Sequence, residues 1–137
     1  MEKLLGNYAP QTYALLRIVA GFLFLCHGLQ KVFGLFGGID GAGAAAPLSS
    51  LFGVAGMIEI IGGLLVTLGV FTGNVAFILS GHMAAAYFIA HFPLGFWPIE
   101  NKGEEAVLYC FIFLYMATQG SGIWSVDAAR QSPVRRY

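Results

Sequence analysis

Residues 56–69 read Gly56-Met57-Ile58-Glu59-Ile60-Ile61-Gly62-Gly63-Leu64-Leu65-Val66-Thr67-Leu68-Gly69. The run is apolar enough to lie in a membrane, yet it carries one carboxylate. At helical spacing Glu59 shares a face with Ala55, Gly56, Gly62, Gly63 and Val66. Small residues in a membrane helix mark the side on which a second helix comes close. The acid therefore belongs to the packed side. At that depth a carboxylate is costly and pairs with a cation or lines a polar cavity.

The composition around this stretch agrees. Of 137 residues, 58% are hydrophobic and 10% are charged, against about 25% charged in a soluble domain. Such a surface suits a bilayer, and the length accommodates about four crossings of roughly 20 residues each. The expected architecture is all-α: a single domain over 1–137, an integral membrane antiparallel four-helix bundle with no separate soluble catalytic module. A net charge of zero leaves no electrostatic footprint for nucleic acid. Cys26 and Cys110 both lie in apolar runs, outside any CxxC or metal-ligand spacing, and read as small buried residues. They fall at similar depth, so a disulfide between them stays open.

Taken in order, a short polar lead (1–11) precedes a first span at about 12–32. Its apolar run is longer than a signal-peptide core and lacks a strongly basic start, so it reads as a retained helix. Arg17, Gly21, Phe24, Gly28 and Lys31 form one stripe, with His27 beside it and Gln30 near its end. Arg17 reads as a buried charge or one that snorkels to the interface, and Lys31 has the same alternative. A glycine- and alanine-rich loop (33–50) follows, with Asp40 its one charge, and Ser49 or Ser50 caps the second span, 51–70. Phe71-Thr72-Gly73-Asn74 reads as a tight turn that makes spans two and three antiparallel neighbours. The third span covers 75–92. It carries His82 near its middle, a helix–helix hydrogen-bonding residue, and His91 at its far end on the opposite face. Pro93 and Pro98 exclude a regular helix over 93–103, and Phe96-Trp97 reads as an interfacial anchor. The fourth span covers 104–119, where Glu105 shares a face with Leu108, Tyr109, Ile112 and Met116. Trp124 marks the opposite interface.

Lys3, Arg130, Arg135 and Arg136 flank the ends, so the positive-inside rule places both termini in the cytoplasm. That orientation brings His27, Gln30, Lys31, Glu59, His91, Glu105 and Tyr109 to the outer half, as a candidate polar pocket. Glu59 pairs there with Lys31 or His27. Gly28, Gly62 and Gly63 are packing residues.

Several of these pieces together resemble the DoxX family of small membrane proteins. They are Arg17-Ile-Val-Ala-Gly21, His27-Gly28-Leu29-Gln30-Lys31-Val32-Phe33-Gly34, Glu59-Ile60-Ile61-Gly62-Gly63 with Leu68-Gly69, His91 with Gly95-Phe96-Trp97, and Asn101-Lys102-Gly103-Glu104-Glu105. The resemblance implies a four-helix bundle in the bacterial inner membrane. One member is similar to a small subunit of thiosulfate:quinone oxidoreductase, and other relatives look like accessory proteins of redox or oxidative-stress systems.

Three functions follow. The first is an accessory subunit of a quinone-linked redox complex. A quinone site needs an apolar slot and hydrogen-bonding side chains such as His or Tyr. The chain has no cofactor fingerprint of its own, so a quinone is the cofactor to expect and the electron donor is another protein subunit. The second is a non-catalytic scaffold or assembly factor, whose polar cluster sets helix register. The third is a small transporter, which with four helices needs a homo-oligomer. Lipid is the common partner of all three.

Overall fold

The computed structural model describes residues 2–131. Arg135 and Arg136, used above for orientation, lie outside the described residues, as does the side chain of Lys3. The chain divides into two compact units, one formed by residues 1–70 with 121–137 and one by residues 71–120. Among the described residues the regular structure is helical.

In the first unit a short helix, α1 (Glu2–Leu5), and a 3-10 turn (Gly6–Tyr8) lead into α2 (Ala9–Phe33). The short polar lead is thus helical, and α2 starts three residues before the expected first span. Pro10 explains the start: it sits in the first turn, where its missing N–H has no intrahelical acceptor anyway. Gly34 ends the helix in the left-handed conformation, at φ 69°, and its N–H reaches Gln30 O.

The loop that follows is tied to that end. The Ala46 N–H donates to Lys31 O at 2.7 Å, and Asp40 Oδ1 accepts the N–H groups of Ala42 and Ala44 at 2.8 and 3.0 Å. The backbone N–H groups of Ala44 and then Ala42 hold the Asp40 carboxyl below the usual aspartate range. Ser50, not Ser49, caps α3 (Leu51–Leu68) by accepting the Gly53 N–H at 3.1 Å.

The helices α2 and α3 meet along their glycines. A Cβ on Gly21 would lie 2.7 Å from Thr67 N, one on Gly63 2.6 Å from Leu25 N, and one on Gly28 2.6 Å from Gly56 O. The contacts climb α2 as they descend α3, so the two backbones touch in opposite directions. Residues 121–131 complete this unit through a bond from Asp127 N–H to Gly69 O, and they end in α7 (Val126–Gln131).

In the second unit α4 (Thr72–Ala86) packs along α6 (Glu104–Gln119). Ala76, Leu79, Met83, Ala106, Phe113 and Met116 are its buried apolar residues. The turn read at 71–74 lies slightly earlier. The left-handed residues are Gly69 and Phe71 (φ 48°), and Thr72 already opens α4.

The far end of α4 departs from the expected regular helix. After Ala86 the chain runs as a π-helical stretch (Tyr87–His91) and a 3-10 turn (Phe92–Leu94). The segment expected to be non-helical contains the one-turn helix α5 (Pro98–Asn101). Both prolines occupy first-turn positions, where proline is compatible with helix.

Three helical segments among the described residues are long and apolar enough to cross a bilayer: Gly6–Phe33, Leu51–Leu68 and Thr72–Leu94. The expected fourth span matches α6 in its bounds. With 16 residues, however, α6 is shorter than these three. At about 1.5 Å per residue it reaches roughly 24 Å, against about 30 Å of hydrocarbon. Leu15, Val19, Phe22, Ile61, Phe77, Ile78 and Phe111 are each more than half exposed along these helices. That apolar exterior is what lipid covers, and the chain is a membrane protein.

Candidate functional site

Three polar centres stand out, two in the first unit and one in the second. In the first unit Lys31 Nζ forms an ion pair with Glu59 Oε1. Glu59 is 3% exposed at its side chain and Lys31 is 23% exposed. The carboxylate is buried because Gly56 and Gly28 bring the two backbones together one turn away, and Lys31 reaches it from the last turn of α2. Lys31, one of the two cations considered for Glu59, thus makes an ion pair with it. His27 is half-buried on α2, and Gln30 lies one turn on, its Nε2 donating to Phe36 O at 3.5 Å.

The second centre is Arg17, fully buried at 0% exposure. Nη1 donates to Val66 O at 2.8 Å and to Thr67 O at 2.7 Å. Nη2 donates to Trp124 O at 2.7 Å and to Ile123 O at 3.4 Å. The guanidinium thus covers the carbonyl end of α3, where helix partial charge is negative, and holds the 121–125 segment against it. Gly69 is required beside it: a Cβ there would lie 2.8 Å from Nη1 and 2.3 Å from Ser125 Cβ. Arg17 is a buried charge, and the snorkelling alternative does not apply to it.

The third centre lies in the second unit, where α4 gives way to π-helix. Asn101 is 2% exposed and uses both ends of its amide. Nδ2 donates to Gly95 O at 2.7 Å and to Tyr87 Oη at 3.3 Å, and Oδ1 accepts the Gly103 N–H at 2.8 Å. Tyr87 Oη in turn donates to Phe96 O at 2.8 Å. His91 stacks on Tyr87, with ring centroids 6.4 Å apart and planes at 23°. Its Nδ1 lies 3.1 Å from Asn101 O. A carbonyl only accepts, so Nδ1 carries the proton and Nε2 the lone pair in the neutral ring.

Beside this group opens an apolar cleft of about 310 Å³, lined by Tyr87, Phe88, Phe92, Phe96, Trp97, Pro98 and Val107. The remaining residues of the expected pocket in this unit are spread along α6. Glu105 is exposed in its first turn, and Tyr109 stacks on Phe113 at 5.6 Å. His82 is half-buried on α4. Gly62 is buried on α3. The two cysteines are free thiols, Cys26 on α2 and Cys110 on α6.

Sequence reasoning passed over Tyr87, and it carried Asn101 only within a piece of the family resemblance, without a site role. Their signal was available in outline: Tyr87 stands one helical turn before His91, and Asn101 precedes a Lys-Gly pair between a proline and a helix start. What it lacked was the π-helical stretch, which carries both Tyr87 and His91.

The DoxX family profile matches residues 12–92, well over half of the chain. The chain belongs to the DoxX family. An uncharacterized protein of Haemophilus influenzae is 42% identical to this DoxX protein over 126 residues, covering 90% of the chain and 93% of the relative. A Bacillus subtilis protein described as "Putative oxidoreductase CatD" is 29% identical over 113 residues, 82% of each chain. No solved structure is a significant match to the DoxX chain. The family match covers Arg17, the Lys31–Glu59 pair, Tyr87 and His91, and ends before Asn101.

Proposed function

We propose that this chain is a small accessory subunit of a quinone-linked redox complex. In this reading α2, α3, α4 and α6 form an antiparallel four-helix bundle in the bacterial inner membrane, with both termini in the cytoplasm. The observation that carries it is the cleft beside Tyr87, Asn101 and His91. It lies at the end of a membrane-capable segment and has apolar, largely aromatic walls, and one of its lining residues, Tyr87, is hydrogen-bonded to Asn101. A lipid-soluble aromatic carbonyl compound needs an apolar slot and a few placed polar groups. The description of the Bacillus subtilis relative as an oxidoreductase points to redox chemistry in the same way. Electrons come from a partner protein, because the chain carries no cofactor fingerprint of its own.

Native mass spectrometry of the protein, extracted gently from its own membranes, tests this reading. A bound quinone, or a redox protein at fixed stoichiometry, is the expected result. Particles carrying phospholipid alone would overturn it.

A scaffold role is the second reading, and one observation favours it. Arg17 and the Lys31–Glu59 pair are matched within the chain, as buried polar groups that set helix register are. Glu59→Gln tests the scaffold reading and asks whether this pair has a redox role of its own. A scaffold loses abundance and assembly together, whereas a redox role at this pair loses turnover in protein that accumulates normally.

A further inference from the structure

We infer that the loop between α2 and α3 is a lipid-docking cap. It lays Leu35, Phe36 and Ile39 into the bilayer beside the helix ends and holds the Asp40 carboxylate at the level of the headgroups.

The exterior of the first unit does not turn polar where its helices end. Phe33 in the last turn of α2 is exposed, as are Leu51 and Phe52 in the first turn of α3. Between them Leu35, Phe36 and Ile39 are exposed too, Phe36 at 68%. From Val32 to Phe52 the polar side chains are those of Asp40, Ser49 and Ser50. The Ser50 hydroxyl is committed to Pro47 O and the Gly53 N–H. The loop thus continues the apolar exterior that lipid covers. Span length agrees. With 18 residues α3 reaches roughly 27 Å at about 1.5 Å per residue, against about 30 Å of hydrocarbon. The Arg17 charge lies at its carbonyl end, so the shortfall is made up at its start, where the loop sits.

The backbone favours lipid over a partner protein. Acyl chains offer no hydrogen bonds, so a segment that meets them must satisfy its own polar groups. The N–H groups of Gly38, Ile39, Gly43 and Ala46 donate to Leu35 O, Ala44 O, Gly37 O and Lys31 O at 2.7–3.0 Å. Those of Ala42 and Ala44 donate to Asp40 Oδ1. Asp40 thereby takes the place of water inside the turn. A Cβ on Gly34 or Gly38 would run into the backbone of Gly43 or Ala44, so the two limbs of the loop touch directly. Phe36 stands at φ 53°, an outlier for a bulky residue that persists only when its surroundings hold it. The Asp40 carboxylate is exposed, and an ion is stable among headgroups rather than acyl chains.

The experiment uses the full chain, with Cys26 and Cys110 replaced by alanine, in vesicles of phosphatidylethanolamine and phosphatidylglycerol. Single nitroxides are attached at Phe36→Cys, Ile39→Cys and Ala42→Cys, with Phe22→Cys on the exposed side of α2 as the hydrocarbon reference. Power saturation reads collisions with oxygen, which concentrates in hydrocarbon, and with a neutral nickel chelate, which stays in water. At Phe36 and Ile39 oxygen should outweigh nickel, as at Phe22. Nickel collisions there should be about tenfold below those at Ala42, because a polar complex is excluded from hydrocarbon. Asp40→Ala, which frees the Ala42 and Ala44 N–H groups, should raise nickel collisions at Phe36 to the Ala42 level and leave Phe22 unchanged. Asp40→Asn, which keeps Oδ1 as the acceptor, should behave as the parent.

Nickel collisions at Phe36 and Ile39 equal to those at Ala42 would put the loop in water and overturn the cap. Shielding of both labels from oxygen and nickel together would mean that protein covers them, a second copy of this chain included, and would overturn it equally. If Phe36 keeps its depth in Asp40→Ala, the role given to Asp40 falls. The Phe22 label reports insertion in every variant, so a chain that fails to fold is told apart from one whose loop has lifted.

Discussion

Arg17 is a cation placed under the carbonyl end of α3, and its four acceptors are all backbone oxygens. Removing it leaves Val66, Thr67 and Trp124 carbonyls buried without their donor, at about 1–3 kcal/mol each. Arg17→Met should therefore destabilise the protein by about 3 kcal/mol or more, read from thermal unfolding in lipid. Arg17→Lys should recover only part of this, because an ammonium lacks the planar fork that reaches two strands of backbone at once. An unchanged melting temperature in Arg17→Met would refute the clasp. The Lys31–Glu59 pair makes a different prediction. Breaking a buried pair from one side costs about 3–5 kcal/mol, while removing both partners costs much less than the sum. Lys31 is partly exposed, so the lower end applies here. Glu59→Gln and Lys31→Met should each lower stability, with the double variant clearly less than additive. Additive losses would show that the two side chains act independently.

At the scale of the element, the close approach of α2 and α3 depends on glycine at the contact. Gly28→Ala and Gly63→Ala each place a Cβ about 2.6 Å from backbone of the facing helix, which cannot yield as a side chain can. Overpacking of this kind costs about 1–3 kcal/mol. Gly81→Ala on α4 meets no atom within 4 Å and should be neutral or stabilising by up to about 1 kcal/mol through helix propensity. Equal losses at all three positions would contradict the packing described. The loop after α2 responds to pH through Asp40. Its carboxyl is held below the usual range, so the order it confers is complete above the ordinary aspartate value of about 3.9 and is lost as pH falls through the lower folded value. Amide exchange at Ala42 and Ala44 should accelerate over that acidic interval and not near neutrality. Asp40→Asn should remove the pH step.

At the scale of the molecule, the open quantity is the number of crossings. Three segments meet the length and hydropathy of a span, and α6 is the short one. Four crossings put both ends of the chain on one side of the membrane, and three put them on opposite sides. Cysteines introduced at Glu2 and Gln131, in a chain with Cys26 and Cys110 replaced by alanine, decide between the two. The expectation is that both are shielded from an impermeant thiol reagent in intact cells and labelled after permeabilisation. Labelling of one end alone in intact cells would establish three crossings.

Membrane character, the start of α3, the boundaries of α6 and the glycine-lined approach to Glu59 were determined by the sequence. They depend on local quantities: the share of charge, helical period, capping residues and side-chain size along one face. Glu59 could be assigned to a packed face for the same reason. Its pairing with Lys31 could not, since Lys31 and His27 lie on adjacent turns of α2 and only the register of α2 against α3 brings Lys31 to the carboxylate. The four carbonyls around Arg17 come from residues 49 to 107 positions away in the chain, a distance over which no local pattern carries information. The π-helical stretch at Tyr87–His91 was likewise decided by tertiary structure. One extra residue per turn rotates every following side chain, and no residue type in that stretch demands it. Because Tyr87, His91 and Asn101 meet through that rotation, the cleft and the hydrogen-bonded group beside it belong to the folded molecule rather than to any motif.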